Sequence, residues 1–281
     1  MKKIKLGIIV TSLYIKVDPK KAQSVIFKIN KYFDVNLYLP KGKLDMFGSI
    51  SNNQKIKLIN KAASECEVLL SFCGGFNQVE LLQYFDQLKF RENNIFVGQS
   101  DNTVLVNALP ALKICKTLYG KGFLNMVNNP TKSEEMVENL YKSVTKLKST
   151  SLNNGIQVIG GNNYTFDLLQ GTRFCPKFSQ PFILFMEGED ILKDSSEVWV
   201  DFIRNIDSIM LQEGATENIK GLLIGKFPDS VKLSKSQINK FIKDRSYLKN
   251  VPITIDYPCG HNKGSTEYLP FGEKISPKML N

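Results

Sequence analysis

Residues 95–109 read IFVGQSDNTVLVNAL. The first four form an apolar run of strand length, and the apolar spacing of a helix begins at Val104. Ser100 and Asp101 therefore lie at a turn from a buried strand into a helix. Short, almost wholly apolar strands that lead straight into helices are typical of a parallel sheet covered on both faces. This unit predicts an α/β protein.

Strands and helices alternate on both sides of this unit. In the first half, apolar runs predict strands at residues 4–10, 35–39, 68–73 and 95–98. Ser51 with Gln54 has the spacing of a capping box at the start of a helix. Asn77 with Glu80 repeats that spacing before the next helical pattern. This alternation predicts a doubly wound α/β sheet whose ligands bind at the carboxyl ends of the strands.

The chain divides at a lysine-rich amphipathic segment, residues 131–149, which a polar, turn-forming stretch follows. Beyond it, strands are predicted at residues 156–160, 182–187, 219–227 and 252–257, with helices at 195–213 and 234–248. The 281 residues are enough for two domains, each with its own core. We predict an N-terminal α/β domain at residues 1–130, a helix and linker at 131–155, and a smaller α/β C-terminal domain at 156–281.

Composition excludes several classes of protein. Hydrophobic residues make up 42% of the chain and charged residues 23%, which is too apolar a composition for a disordered chain. No apolar run approaches the roughly 18–20 residues that a membrane span needs, so no membrane association is expected. Lys5 interrupts the short apolar run near the N-terminus, which favours a first buried strand over a secretory signal.

The charge and the cysteines indicate a cytoplasmic protein without a nucleic-acid partner. The formal net charge is +10, but the excess is almost all lysine, spread over predicted helices rather than gathered in one stripe. The five cysteines include no C-x-x-C pair, which argues against a disulfide framework and against a zinc ribbon. We therefore expect the protein to be in a reducing cytoplasm.

The only histidine, His261, lies on a loop after a predicted strand. A lone histidine often has no chemical role, but any Ser/His or Cys/His chemistry in this chain must use this imidazole as its base. Ser100 is the candidate nucleophile, because a strand-to-helix turn exposes its Oγ and the amides that open the helix can stabilise an oxyanion. The alternative is that Ser100 or Asp101 is simply the N-cap of the helix.

Two further strand ends carry candidate site residues. Residues 73–77, CGGFN, form a turn whose paired glycines let backbone amides approach a substrate, and Cys73 is a second candidate nucleophile. The strand at 182–187 ends in three acids, Glu187, Glu189 and Asp190. One of these carboxylates could orient the imidazole. The alternatives are a solvated acidic loop or, less expected because the spacing is irregular, a cation site.

Six short motifs stand in the order that one family of serine peptidases has. They are G-S-I-S at 48–51, G-G-F-N at 74–77, G-Q-S-D-N-T at 98–103, G-G-N at 160–162, L-F-M-E at 184–187, and C-G-H at 259–261 with L-P-F-G at 269–272. In these motifs the chain resembles the LD-carboxypeptidases and the related microcin C self-immunity peptidases. The resemblance covers most of the chain.

The resemblance implies catalytic roles for three residues: Ser100 as nucleophile, His261 as general base and then acid, and Glu187 as the acid that orients the imidazole. It further implies an oxyanion hole from the backbone amides of Gly75 and Asp101, with no metal and no cofactor. The other motif residues expected to contact the substrate are Gly74, Phe76, Asn77, Gly160, Gly161 and Asn162. The folded chain must then place the imidazole between Ser100 and Glu187, about 2.6–3.2 Å from both.

The implied fold is an amidotransferase-like (flavodoxin-like) parallel-sheet N-terminal domain with a smaller α/β C-terminal domain, assembled as a homodimer. The implied function is a serine carboxypeptidase-type amide hydrolase that releases terminal D-Ala from cytoplasmic murein peptides. Three alternatives stay open. They are a self-immunity-type peptidase that cleaves a peptidyl or aminoacyl nucleotide, a hydrolase that uses Cys73 with His261, and a catalytically silent binding protein.

Three departures from the family pattern bear on these expectations. The immunity peptidases use an aromatic residue on an inserted loop to stack on the nucleotide, whereas the only tryptophan here, Trp199, lies in a predicted helix and the loop region after Gly120 is short. Murein-recycling members typically have Arg just before the paired glycines, where this chain has Cys73. The acidic loop runs Glu187-Gly188-Glu189-Asp190 rather than Glu-Asp. Glu189 is therefore a second candidate for the acid of the triad.

Overall fold

Short apolar segments of the sequence build two sheets. The structure is a computed structural model, and it describes residues 3–42, 44–149, 155–189, 195–231, 234–272 and 274–275. The predicted α/β class is confirmed: a large, mostly parallel sheet is joined to a second, smaller one.

The first sheet has six strands in the order β10-β5-β4-β3-β1-β2 within the described residues. Their bounds are β1 Ile4–Ile9, β2 Phe33–Tyr38, β3 Val68–Ser71, β4 Ile95–Gly98, β5 Lys116–Tyr119 and β10 Leu269–Phe271. Neighbours run parallel, except that β10 is antiparallel to β5. The central strands β3 and β4 are buried along their whole length, which explains their apolar sequences.

The second sheet has the order β11-β6-β7-β8-β9 within the described residues. Its strands are β6 Ile156–Asn162, β7 Phe182–Glu187, β8 Ile219–Gly225, β9 Ile253–Tyr257 and β11 Lys274–Ile275. The strands β6 to β9 run parallel, and β11 is antiparallel to β6. All six residues of β7 are buried, and the strand ends at Glu187. The carboxylate at the end of β7 is therefore in the interior of the protein.

Helices cover both sheets. Those in the described residues are α1 Pro19–Ile29, α2 Asn52–Glu65, α3 Thr103–Ala111, α4 Phe123–Asn128, α5 Ser133–Ser149, α6 Asn163–Asp167, α7 Ser195–Met210, α8 Ala215–Asn218 and α9 Lys235–Lys243. Shorter 3₁₀ segments lie at Gln78–Gln87, Ser100–Asn102 and Ser246–Leu248.

The two predicted capping boxes have different outcomes. The Ser51 hydroxyl accepts a hydrogen bond from the Gln54 amide at the start of α2, as predicted. The prediction for Asn77 is wrong. The 3₁₀ segment after it has no side-chain cap, because the Asn77 side chain instead bonds Lys55 Nζ and Ser49 Oγ, at 2.9 and 2.8 Å.

Helix α3 joins the two sheets. Residues 103–109 are buried, and the helix packs against β4 and β5 of the first sheet and against β6 of the second. Because α3 follows β4 directly, its first turn lies where the carboxyl ends of strands from both sheets converge. Ser100, just before the helix, is thereby placed at the junction of the sheets.

The last part of the chain returns to the first sheet. Leu269–Phe271 falls within the predicted C-terminal region but pairs with β5, with Leu269 opposite Tyr119. The predicted domain boundaries at residues 130 and 155 stay a prediction, and residues 150–154 of the linker lie outside the described chain. The loop that carries His261 is thus held between strand β9 of one sheet and strand β10 of the other.

Other differences from the predicted elements are small. The strand predicted at 68–73 ends at Ser71, and the helix predicted at 195–213 ends at Met210. The helix predicted at 234–248 is divided into α9 and a 3₁₀ turn. Strands β5, β10 and β11 and helices α1, α4, α6 and α8 were not predicted. Within the described residues, no helix combines the length and the apolar character needed to span a membrane.

We expect Asn107 to hold the two sheets together. Its side-chain amide donates to the Gly160 carbonyl at 2.7 Å and accepts from the Gly160 N–H at 3.1 Å. Asn107→Leu keeps the volume but leaves two buried backbone groups unpaired, each costing about 1–3 kcal/mol. Urea unfolding should show the loss in free energy, whereas Asn53→Leu, at an exposed position of α2, should change it little. Equal stability of the two variants would contradict this role.

Candidate active site

Ser100 has a strained backbone. Its φ is 63°, in the left-handed region that a residue with a side chain enters at a cost of about 1–3 kcal/mol. Its N–H donates to the Tyr119 hydroxyl at 3.2 Å. Neither Ser100 nor Asp101 caps a helix, because no side-chain cap bond is formed at the start of the 3₁₀ turn or of α3. The alternative that these residues are simple N-caps is therefore wrong, and a strained backbone at a strand-to-helix turn is typical of a nucleophilic serine.

The Asp101 side chain fixes the glycine turn beside Ser100. Its buried carboxylate accepts hydrogen bonds from Ser12 Oγ at 2.5 Å and from the backbone N–H groups of Asn77 and Gln78 at 3.0 and 2.8 Å. Burial raises the pKa of Asp101, and these bonds oppose that rise. The residue thus has a structural side chain, while its backbone N–H remains near Ser100.

The paired glycines are required by the close approach of this turn to Ser100. A Cβ on Gly74 would lie 2.7 Å from the Ser100 Cβ and 3.4 Å from the Asp101 nitrogen. A Cβ on Gly75 would lie 2.3 Å from Ser12 Oγ. Only glycine fits in either place. The Gly74 backbone therefore lies directly against the candidate nucleophile, and the Gly75 backbone lies against Ser12 and Leu13.

Glu187 and His261 form a close pair. One carboxylate oxygen of Glu187, Oε2, is 2.6 Å from His261 Nδ1 and accepts the His261 backbone N–H at 3.0 Å. The other, Oε1, accepts the hydroxyl of Tyr119 at 2.6 Å. Burial acts to lower the pKa of His261, but Glu187 and then Glu189 outweigh it, and the pKa is raised. The imidazole is thus oriented and held ready to carry a proton.

Glu189 lies on the opposite side of the imidazole. Its Oε2 is 3.2 Å from His261 Nε2 and 3.4 Å from Ser100 Oγ. In the described chain no direct hydrogen bond joins Ser100 to His261. The structure therefore places His261 against Glu187 as expected, but a carboxylate oxygen stands between the imidazole and Ser100. Burial raises the pKa of Glu189.

Tyr119 is a site residue that the sequence analysis missed. It ends β5, opposite Gly98 of β4, and is fully buried. Its hydroxyl accepts from the Ser100 N–H and donates to Glu187, so it connects the candidate nucleophile with the candidate acid. The available signal was the run KTLYG at 116–120, an apolar segment that ends at a glycine as IFVG does.

A cavity of about 280 Å³ opens over Ser100, and we refer to it as the Ser100 cavity. Ser100, Glu189 and His261 line it together with the following residues: Leu13, Ile15, Ser71, Cys73, Gly74, Gly75, Phe76, Gln99, Gly122, Leu124, Asn125 and Asn128. No lysine or arginine is among these described lining residues. The charged side chains of this described lining are therefore Glu189 and, when protonated, His261.

The predicted substrate-binding residues divide into two groups. Gly74 and Phe76 line the Ser100 cavity, and Phe76 is 64% exposed at its rim. Asn77 is outside the cavity lining. Its side chain accepts a hydrogen bond from Lys55 Nζ and donates one to Ser49 Oγ, and these bonds support the turn.

The G-G-N segment lies at the contact between β6 and α3. A Cβ on Gly160 would lie 2.0 Å from the Phe185 carbonyl oxygen, and one on Gly161 would lie 2.8 Å from Thr103 Oγ1. Asn162 donates its N–H to Thr103 Oγ1 at 3.0 Å, and its Oδ1 caps α6. The structure therefore places these three residues beside the site, outside the lining of the Ser100 cavity.

Two alternatives for the chemistry can be compared with the geometry. Burial raises the pKa of Cys73 to about 12, and its thiol points at the Leu13 carbonyl oxygen, 2.9 Å away. A thiol in that state is a poor nucleophile at neutral pH. Among the described residues, no three His, Cys, Asp or Glu side chains form a metal-binding group, and Asp190 lies outside them.

Comparison with known proteins gives consistent results for both halves of the chain. Residues 6–120 match the sequence profile of the LD-carboxypeptidase N-terminal domain, and residues 156–276 match that of the LD-carboxypeptidase C-terminal domain. A Treponema pallidum (strain Nichols) protein named "Putative carboxypeptidase" is 25% identical over 82% of this chain and 76% of its own length. "Putative carboxypeptidase YocD" of Bacillus subtilis (strain 168) is 26% identical over 69% and 68%.

Solved structures show the same fold. The MccF-like protein from Bacillus anthracis str. Ames has a TM-score of 0.81 at 21% identity, over 97% of this chain and 92% of that one. MccF in complex with glutamyl sulfamoyl guanosine has a TM-score of 0.74 at 18% identity, over 99% and 95%. The muramoyltetrapeptide carboxypeptidase from Oxalobacter formigenes has a TM-score of 0.67 at 21% identity, over 95% and 92%.

We expect Tyr119→Phe to impair Ser100 more than it impairs the fold. The variant removes the hydroxyl that joins the Ser100 N–H to Glu187, so both groups lose a buried partner, at a cost of about 1–3 kcal/mol in unfolding free energy. The rate at which a fluorophosphonate labels Ser100 should fall roughly tenfold, since 1.4 kcal/mol is a factor of ten. Tyr84→Phe, which removes a partly buried hydroxyl with no hydrogen bond in the described chain, is the control. Equal labelling rates in both variants would refute the role of Tyr119.

Proposed function

The chain belongs to the LD-carboxypeptidase family, and on that premise we propose that it is a serine peptidase whose Ser100, His261 and Glu187 hydrolyse an amide bond. One observation carries the proposal. The only histidine of the chain lies within 2.6 Å of a fully buried carboxylate and faces the cavity of a strained serine, although the three residues are far apart in sequence.

The proposed mechanism assigns each group one task. Ser100 Oγ attacks the carbonyl carbon of the scissile amide, and His261 Nε2 takes the hydroxyl proton. Glu187 accepts the Nδ1 hydrogen, which fixes the tautomer and stabilises the imidazolium as it forms. His261 then passes the proton to the leaving amine, and a water molecule activated by the same nitrogen hydrolyses the acyl-enzyme.

The oxyanion of the tetrahedral intermediate needs donors that are already in place. We assign this role to the backbone N–H groups of Gly75 and Asp101. Support comes from the packing of Gly74 directly against Ser100 and from the three hydrogen bonds to the Asp101 carboxylate, which fix the turn at residues 74–78. A rigid donor pair costs no rearrangement during the reaction.

From membership of this family we propose LD-carboxypeptidase activity on a murein tetrapeptide with release of terminal D-Ala. One observation favours a second candidate, a peptidyl or aminoacyl nucleotide. The described lining of the Ser100 cavity has no lysine or arginine to pair with the terminal carboxylate of a tetrapeptide, and Cys73 stands where murein-recycling members typically have Arg. MccF, which has this fold, has solved structures in complex with glutamyl sulfamoyl guanosine and with aspartyl sulfamoyl adenosine.

The two substrates can be compared directly. The protein is incubated in parallel with a murein tetrapeptide and with aspartyl sulfamoyl adenosine, and released D-Ala or aspartate is quantified by mass spectrometry. Release from the tetrapeptide alone supports the first candidate, and release from the nucleoside alone supports the second. No release from either, with both compounds bound, would support a catalytically silent binding protein.

Homodimer formation and a cytoplasmic location are proposed from the family alone, and light scattering tests the first.

Ser100→Ala should abolish turnover without unfolding the protein. The side chain caps no helix, so its loss costs little stability, and removal of the nucleophile typically costs several orders of magnitude in rate. Cys73→Ala is the matched control, because the cysteine lines the same cavity. Loss of activity in Cys73→Ala, with Ser100→Ala active, would transfer the nucleophile to the thiol.

Activity should rise with pH through a midpoint above the ordinary histidine pKa of 6.5. His261 must be neutral to accept the serine proton, and its pKa is raised, because Glu187 and Glu189 outweigh the opposing effect of burial. The protonated, inactive form therefore persists to higher pH than in an isolated histidine. The measurement is kcat/KM against pH, with EDTA present as a control. A midpoint below 6.5, or loss of activity in EDTA, would contradict this assignment.

A further inference from the structure

Glu189 occupies a position that the proposed mechanism leaves without a role. Its Oε2 lies within 3.4 Å of Ser100 Oγ and 3.2 Å of His261 Nε2, in the gap between nucleophile and base. For Ser100 Oγ to pass its proton to His261 Nε2, these two atoms must come within hydrogen-bond distance of each other. The Glu189 oxygen therefore has to leave this gap before the first chemical step.

A carboxylate oxygen in this gap resembles the acid product of the reaction. When water activated by His261 hydrolyses an acyl group on Ser100, the new carboxylate forms with one oxygen beside Nε2 and close to Oγ. Glu189 Oε2 has both of these contacts in the structure. The side chain thus imitates a product that remains bound.

We propose that Glu189 is an internal competitor of substrate and product: its carboxylate fills the gap between Ser100 and His261 in the free protein, substrate displaces it, and its return expels the acid product. This inference rests on the proposed serine-peptidase function. It concerns a residue outside the proposed triad and gives it a specific effect on rate.

Charge explains why the carboxylate stays in the gap and why a product would not. The Glu189 side chain is only 13% exposed, and its one charged partner in the described cavity lining is His261. A second carboxylate in the same space would be repelled by the first and would compete for the same imidazole nitrogen. An uncharged amide substrate meets no such repulsion.

A second partner exists for Glu189 once it is displaced. Asn162 ends β6 opposite Glu187, and its buried side-chain Nδ2 has no hydrogen bond of normal length in the described chain. Burial raises the pKa of Glu189, and a side-chain hydrogen-bond interaction with Asn162 opposes that rise, so this donor already lies near the carboxylate. A small rotation toward this donor would keep the carboxylate hydrogen-bonded while it opens the gap.

The pKa of His261 depends on the charged groups around its imidazole. Glu187 faces His261 from β7, Glu189 from the loop after β7, and the buried Lys121 from the loop after β5. Burial raises the pKa values of Tyr119 and Cys259, so both are neutral at pH 7. Removing the charge of Glu189 should therefore lower the pKa of His261, while the contact with Glu187 remains.

The single histidine makes the first test direct. The imidazole resonance of His261 is followed by NMR against pH in the wild type, in Glu189→Gln, and in Glu92→Gln, which neutralises an exposed acid elsewhere. Glu189→Gln should lower the pKa of His261 by roughly one unit, and the control should not. An unchanged or higher pKa in Glu189→Gln would overturn the proposal.

The second test measures access to Ser100. In labelling by a fluorophosphonate, Oγ forms a bond to phosphorus, fluoride leaves, and His261 takes the serine proton. We expect Glu189→Ala to label several times faster than wild type, and sodium acetate to slow Glu189→Ala but not wild type, with sodium chloride at equal ionic strength as control. Slower labelling in Glu189→Ala, as expected for Glu187→Gln, would instead make Glu189 the acid of the triad and overturn the proposal.

The two tests separate this proposal from the proposed function. Absence of labelling in every protein, wild type included, would reject the serine-peptidase proposal. The His261 titration would still determine whether the Glu189 carboxylate occupies the gap. A normal labelling rate in all variants, with no response to acetate, would reject the competitor role and leave the peptidase proposal standing.

Discussion

The buried carboxylate of Glu187 holds the parts of the site together. A carboxylate without exposure to water must be fully hydrogen-bonded, since an unpaired charge in the interior costs several kcal/mol. Glu187 satisfies this condition with one group from the first sheet, the Tyr119 hydroxyl, and with the backbone and ring of His261. The two sheets and the histidine loop can therefore pack in only one arrangement around it, and the position of Ser100 follows through the bond between its N–H and Tyr119.

On the other side of Ser100, a second buried carboxylate is also fully hydrogen-bonded. Asp101 is almost completely buried, and hydrogen bonds from Ser12, Asn77 and Gln78 satisfy it. Lys55, fully buried in α2, donates to Asn77 and so supports the same turn from below. Buried hydrogen-bonded groups thus hold the Ser100 turn, Glu187 and the His261 loop in fixed positions, which is what a preorganised site requires.

The parts of this site that could be predicted from sequence are those that follow from a strand end. Ser100 and Glu187 each follow an apolar run whose length marks a buried strand, and His261 is unique in the chain. Tyr119 escaped prediction because its role depends on the pairing of β5 with β4, and a four-residue strand that begins with lysine gives a weak pattern. The insertion of Glu189 between base and nucleophile depends on a side-chain rotamer, which no spacing encodes. Asn77 was misassigned as a cap because tertiary partners, Lys55 and Ser49, outcompeted the local backbone.

The return of the chain to its first sheet determines when the site is completed during synthesis. Strand β10 pairs with β5 only after strands β6 to β9 of the second sheet have been made, and His261 lies just ahead of it. As the chain leaves the ribosome, Ser100 and its turn emerge well before the candidate base, His261. Contacts so distant in sequence close slowly because the intervening chain must be ordered first. A chain synthesised only as far as β9 therefore carries the candidate nucleophile without the candidate base, and the candidate site is complete only when β10 has paired with β5.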